Sequence, residues 1–132
     1  KSFEEAVSAA GGRALRLAVS GGFHSPLMND AAQKLSAEFD GLTLNDCRIP
    51  VIANVTAKEY TGTELLFRQV NNPVLWQKTI EHLAASGVDT FIEVGIGKTL
   101  ANLAKKMQPD AVVLNVENEE SLRRALEVLN HA

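Results

Sequence analysis

The first residue to invite a chemical reading is His24, in the stretch VSGGFHSPLM over residues 19–28. It follows an apolar run and precedes Ser25-Pro26, a pair that suits the start of a helix. The serine can accept a hydrogen bond from a first-turn N–H, and proline lacks only an N–H that would be unpaired there anyway. Outside the strand ends of α/β sheets is where site residues gather. The positive end of a helix disfavours imidazolium, so a ring beside it stays neutral and is able to accept a proton. A solvated loop histidine satisfies the same pattern, and fold position alone is only a prior for catalysis. His82 falls inside a helical pattern and His131 is one residue from the C-terminus. Both are expected to be solvated, and the three histidines match no metal-ligand spacing, so no metal site is expected.

A base needs a group to act on, and none is found. The nucleophile elbow, Gly-x-Ser-x-Gly, occurs nowhere in the chain. Ser20, Ser25, Ser86 and Ser121 all lack that setting, and Ser25 is accounted for as a helix cap. Cys47 is the single cysteine, which excludes an internal disulfide and any multi-cysteine metal site. Only Arg48 stands beside it to favour a thiolate, so it reads as inert. EVGIGKT over residues 93–99 resembles a phosphate loop but fails both glycine patterns. The Walker spacing needs glycine where the chain has Ile92, and the dinucleotide spacing needs it where the chain has Leu100. What remains is a tight strand-to-helix turn whose N–H groups are able to hold an anion.

The elements that position these residues follow from periodicity. Phe3, Ala6, Val7 and Ala10 have helical spacing, closed by Gly11 and Gly12. ALRLAV (14–19) is expected to form a half-buried strand. The helix opened by Ser25-Pro26 should bury Leu27, Ala31, Leu35 and Phe39 before Gly41 stops it. The β-branched run IPVIANV (49–55) predicts a buried strand, and Thr63 a cap for a short helix. The next helix should be capped by Asn72, opened by Pro73 and closed by Gly87, with Leu75, Trp76, Ile80, Leu83 and Ala84 facing inward. Strands follow over 88–94 and 111–116, with a helix between them bearing Leu100, Leu103, Ala104 and Met107. Asn118 caps a last helix carrying Leu122, Ala125, Leu126 and Leu129. Alternating strands and helices with short connections predict an α/β fold, a parallel sheet flanked by helices. A subdomain boundary is placed near Ser20–Gly22.

Composition bounds the function class. With 132 residues, 45% hydrophobic and 22% charged, the chain is expected to be one small soluble domain. A net charge of −3 gives no reason to expect a nucleic-acid surface. No apolar run approaches the roughly 20 residues that span a bilayer, and no signal-peptide pattern opens the chain. It starts inside a helical pattern without a cap, so a fragment of a longer protein is expected. A lone cysteine fits a reducing, cytoplasmic setting.

Four motifs then occur in a telling order: GGFHSPLM, IPVIANVTA, FRQVNNPVLW and FIEVGIGKTLANLAKK. Together they resemble the C-terminal part of the malonyl-CoA:acyl carrier protein transacylase family, over nearly the whole chain. The resemblance implies an α/β-hydrolase-like acyltransferase core over residues 20–132. Residues 1–19 would be the last helix and strand of an inserted ferredoxin-like subdomain. It implies transfer of malonyl from malonyl-CoA to the phosphopantetheine thiol of acyl carrier protein, in fatty acid biosynthesis, by ping-pong chemistry through a malonyl-serine ester. No cofactor is implied beyond these substrates. His24 matches the family's catalytic histidine, and Gln69 the glutamine whose backbone carbonyl holds that ring in place of a carboxylate. Asn54 matches a position close to the site and is assigned to substrate binding.

The family's serine, its malonyl-pairing arginine and its oxyanion-hole glutamine all lie earlier in the family chain, so the missing N-terminal half is itself an implied partner. Arg48 and Arg68 are not substitutes for the missing arginine. Ile96 stands where the family usually has proline, so a looser turn is expected. Because acyl carrier protein is acidic, Lys98, Lys105 and Lys106 are candidate contacts; a solvated helix face accounts for them equally well. Two other readings stay open: a non-catalytic carrier-protein-binding module, and the acyltransferase part of a polyketide synthase.

Overall fold

The computed structural model describes residues 2–15 and 18–130. Along the chain these form α1 (Ser2–Ala9), a 3-10 turn (Pro26–Met28), α2 (Asn29–Glu38), α3 (Glu64–Asn71), α4 (Trp76–Ala85), β1 (Thr90–Val94), α5 (Thr99–Met107), β2 (Val112–Val116) and α6 (Glu119–Asn130). The second half is the predicted strand–helix–strand unit. β1 and β2 run parallel, from Thr90 opposite Val112 to Val94 opposite Val116. Parallel neighbours need a crossover, and α5 supplies it, packing on both strands while α6 covers β2. The first half is helical where it is regular: α2 packs on α3. No described helix is long and apolar enough to cross a membrane.

Several local signals act as expected. Ser25 Oγ accepts from the Leu27 N–H at 3.3 Å, with Pro26 at the first helical position. Gly87, at φ +91°, ends α4 in the left-handed conformation, and the Val88 N–H reaches back to the Leu83 carbonyl at 3.1 Å. Asn118 caps α6 reciprocally. Its Oδ1 accepts from the Ser121 N–H at 2.9 Å, and Ser121 Oγ accepts from the Asn118 N–H at 3.0 Å.

Other expectations are corrected. Within the strand expected over 14–19, Arg16 and Leu17 lie outside the described residues, and Ala14, Leu15, Ala18 and Val19 carry no ladder. IPVIANV is no buried strand: only Ile52 pairs, in an isolated antiparallel bridge to Glu59, and Ile49 and Val51 are exposed. The chain folds straight back on itself there, through Ala53 N–H to Lys58 O (2.8 Å) and Tyr60 N–H to Val51 O (2.9 Å). A β-branched run extends only if a neighbour pairs with it. Thr63 makes no side-chain cap, and Asn72 closes α3 rather than opening α4, donating to the Arg68 carbonyl at 2.7 Å. α4 starts later, at Trp76, with no side-chain cap.

The buried apolar set is small: Ala32, Ala53, Ala57, Leu65, Ile80, Ala104 and Ala125. Alanines are the buried apolar residues of α2, α5 and α6. The larger residues expected inside stand beside those positions and stay substantially exposed: Leu100, Leu103, Leu122, Leu126, Leu129 and above all Leu27, at 83%.

Candidate functional site

The site is built on the carbonyl end of α3. A helix leaves its last four carbonyls without intrahelical partners, and here the rest of the chain supplies them. The His24 backbone N–H donates to Val70 O at 3.1 Å, and His24 Nδ1 lies 2.7 Å from Gln69 O. Asn72 Nδ2 takes the Arg68 carbonyl. A carbonyl oxygen only accepts, so Nδ1 carries a proton, and in the neutral ring Nε2 presents its lone pair. His24 is exposed, and Nε2 has no partner among the described residues. This is the arrangement a general base requires: one nitrogen fixed, the other open.

The ring therefore sits on the C-terminal end of α3, although in sequence it lies just ahead of the helix opened by Pro26. The negative end of the α3 dipole faces it, opposite in sign to the helix start that the sequence implied.

The backbone at this point was also illegible from glycine. His24 itself has φ +57°, in the left-handed region, whereas Gly21 and Gly22 do not. Histidine is among the residues that tolerate this conformation, at a cost of about 1–2 kcal/mol. Such outliers persist where the surroundings over-determine them, and here the N–H and the ring are both tied to α3. His24→Gly should consequently be more stable than His24→Ala by about 1 kcal/mol in urea denaturation, because only glycine enters this region freely. Equal stabilities would show that the loop is not held at positive φ.

Behind the histidine, Asn54 Nδ2 donates to Gln69 Oε1 at 3.0 Å. On the other flank Asn71 Nδ2 donates to Asn29 Oδ1 at 2.9 Å, joining α3 to the start of α2. His24, Gln69 and Asn54 thus form one continuous hydrogen-bonded set. The Val70 carbonyl and the Asn29–Asn71 pair were missed. A backbone acceptor has no side-chain signature, although asparagines crowded around a helix end are a signal.

Lys98, Lys105 and Lys106 stand apart from this set. Lys98 precedes α5, and Lys105 and Lys106 lie in its last turn. Lys105 Nζ donates to the Ala111 carbonyl at 2.9 Å. Lys98 and Lys105 share, with Arg124 of α6, an open groove of about 410 Å³ between α5 and α6; Lys106 does not line it. Arg68 is engaged with Glu64 at 3.0 Å, along α3.

Both glycine N–H groups of the Gly-Ile-Gly turn are engaged within the chain, that of Gly95 by the Val116 carbonyl at 3.0 Å. Glu93 spans the first turn of α5, accepting from Leu100 N–H at 3.2 Å and Ala101 N–H at 3.0 Å. Glu117 accepts from the Gly97 N–H at 3.0 Å, and Asn115 Nδ2 donates to Gly97 O at 2.7 Å. The chain's own carboxylates occupy the positive end of this helix. Two side chains, Asn115 and Glu117, thus hold at Gly97 the turn that carries Ile96, and Glu93 holds the start of α5 behind it.

No protein-family model matches the chain. Individual relatives do. It is 40% identical over 121 residues to the malonyl CoA-acyl carrier protein transacylase of Bacillus subtilis (strain 168), covering 89% of this chain and 38% of that protein. The crystal structure of a transacylase of the same name from Clostridium perfringens superposes with a TM-score of 0.89 at 40% identity, covering 97% of this chain and 42% of that one. A malonyl-transacylase solved in complex with a type II PKS acyl-carrier protein gives a TM-score of 0.85 at 37% identity, over 94% of this chain and 42% of its own. The chain spans about two-fifths of the length of these relatives. Over that span, sequence and fold agree that it belongs to the malonyl-CoA:acyl carrier protein transacylase family.

Proposed function

We propose that this chain supplies the general base of a malonyl-CoA:acyl carrier protein transacylase and corresponds to the C-terminal part of that enzyme. The observation that carries this reading is the 2.7 Å contact between His24 Nδ1 and the Gln69 carbonyl, which leaves Nε2 open. In the first half-reaction Nε2 takes the proton of a serine hydroxyl supplied by the rest of the enzyme. The serine oxygen bonds to the malonyl carbonyl, the carbon–sulfur bond breaks, and coenzyme A leaves with the proton. In the second half the phosphopantetheine thiol gives its proton to Nε2 and attacks the ester. The carbon–oxygen bond breaks, and the serine recovers its proton. Gln69 holds the ring through both halves, in the position a carboxylate occupies in a triad. Residues 20–132 then belong to the hydrolase-like core, and residues 1–19 to the end of the ferredoxin-like insert.

Two experiments test this. Alone, with malonyl-CoA and holo-acyl carrier protein, the chain should form no malonyl-carrier product, since it contains no elbow serine. Turnover by these residues alone would sink the reading. Grafted in place of the matching segment of the Bacillus subtilis relative, it should restore malonyl transfer, and a folded but inactive graft would count against it.

The carrier-protein dock is proposed at Lys98, Lys105 and Lys106. Two of the three share the basic groove with Arg124, and a relative has been solved with its carrier protein bound. Binding of carrier protein to the graft should weaken as salt rises from about 0.05 to 0.5 M, because screening shortens the reach of surface charges. Salt-independent binding would remove the lysines from this role. The relative solved with a polyketide carrier protein supports a second destination for the same chemistry, polyketide rather than fatty acid synthesis. A preference of the graft for one carrier over the other would decide between them.

A further inference from the structure

We infer that Asn54 is a positioning residue, acting on the His24 ring through Gln69. The inference rests on His24 being the base, and it gives Asn54 a task distinct from the substrate contact that the resemblance assigns to it.

The weakness of α3 is its length. The helix has 8 residues, and a helix this short is marginal by itself, with an end that frays. Yet the carbonyl that orients the base, Gln69 O, belongs to its last turn. Fraying there would move the acceptor away from Nδ1 and release the ring. Some other group has to hold that turn, and the hydrogen bonds show which. Asn54 Nδ2 donates to Gln69 Oε1 at 3.0 Å, so one residue is gripped by its side chain while its backbone grips the histidine.

Asn54 is itself well anchored. It follows Ala53, which is 0% exposed and whose N–H donates to Lys58 O at 2.8 Å. Its own carbonyl accepts from the Leu75 N–H at 2.9 Å, at the start of α4. The turn after Ala53 is completed by Ala57, buried and at φ +54°. A rigid turn, braced against α4, therefore reaches across to the loose end of α3. The Asn71–Asn29 bond braces the same turn from the α2 side, so Asn54 is what holds it from the other.

The readout is the tautomer of His24, measured on the 132-residue chain by long-range ¹⁵N–¹H correlation of the imidazole. This signal does not depend on turnover, so the inference can fail while the proposed function stands, and the reverse. The unmodified chain should show Nδ1–H as the main neutral form. Asn54→Ala should lower the Nδ1–H to Nε2–H ratio by about two- to tenfold, the range one neutral hydrogen bond commands. Gln69→Met breaks the same bond from the other end while keeping the backbone carbonyl, and should lower the ratio equally. The double variant should be no lower than either single one, because both remove one interaction. Gln69→Glu, whose carboxylate still accepts from Asn54, should keep the original ratio.

An unchanged ratio in Asn54→Ala, or additive losses in the double variant, would overturn the inference. If Asn54→Ala does not fold, the Gln69→Met and Gln69→Glu pair decides alone: equal ratios in those two would overturn it.

Discussion

Replacing His24 by alanine in the active graft should lower malonyl transfer by roughly 10²–10⁴-fold, the usual size of a general-base effect. The loss should fall on kcat more than on KM, because a group that moves a proton in the transition state contributes little to ground-state binding. Alanine changes two things at once: it removes the base, and it places a residue poorly suited to φ +57° in a pinned loop. His24→Asn separates them. Asparagine tolerates the left-handed region, and its side-chain N–H can donate as Nδ1 does, but nothing takes the place of Nε2. If proton transfer is the role, His24→Asn is as slow as His24→Ala while keeping more of the stability. Near-normal rates in His24→Asn would mean that the ring only braces the loop, and His24 would lose its role as base.

What the sequence made legible was local. Ser25-Pro26, Gly87 and Asn118 each act on atoms within a few residues, so spacing alone places them. The β1–α5–β2 unit was legible for a similar reason, since two short apolar runs joined through a helix can pair only in parallel. IPVIANV failed because strand formation depends on a neighbour the run does not carry, and here it meets only Glu59. Asn72 shows a subtler failure. It sits between two helices, suited to ending one or starting the next, and only the geometry sends its side chain back to Arg68. The site divides in the same way. His24 could be singled out by its place in the chain. Gln69 could not, because its contribution is a backbone carbonyl that every residue possesses; only the family resemblance selected it. Glu93 was hidden by distance, reaching seven and eight residues ahead to cap α5.

The second large effect is on stability, and it separates two residues of one type. Ile80 is 2% exposed, the largest side chain among the described residues that is essentially fully buried, whereas Ile96 is 97% exposed at the tip of the glycine turn. Ile80→Ala should cost about 2–5 kcal/mol in urea denaturation, the sum of lost transfer energy and an unfilled cavity. Where in that range it falls depends on how far the walls close. Trp76, Leu83 and Phe91 already border an open space of about 380 Å³ beside Ile80, so deleting it widens a space that water can enter rather than sealing an empty cavity, which favours the lower half. Most of the other buried apolar residues are alanines, whose truncation would remove little. Against a usual total of about 5–15 kcal/mol, one substitution would take a large share of what holds the chain folded. Ile96→Ala removes the same atoms from water-exposed surface and should change stability by no more than about 0.5 kcal/mol. A similar cost at both positions would mean that burial does not distinguish them in solution, and that α4 is not packed on α5 as the structure has it.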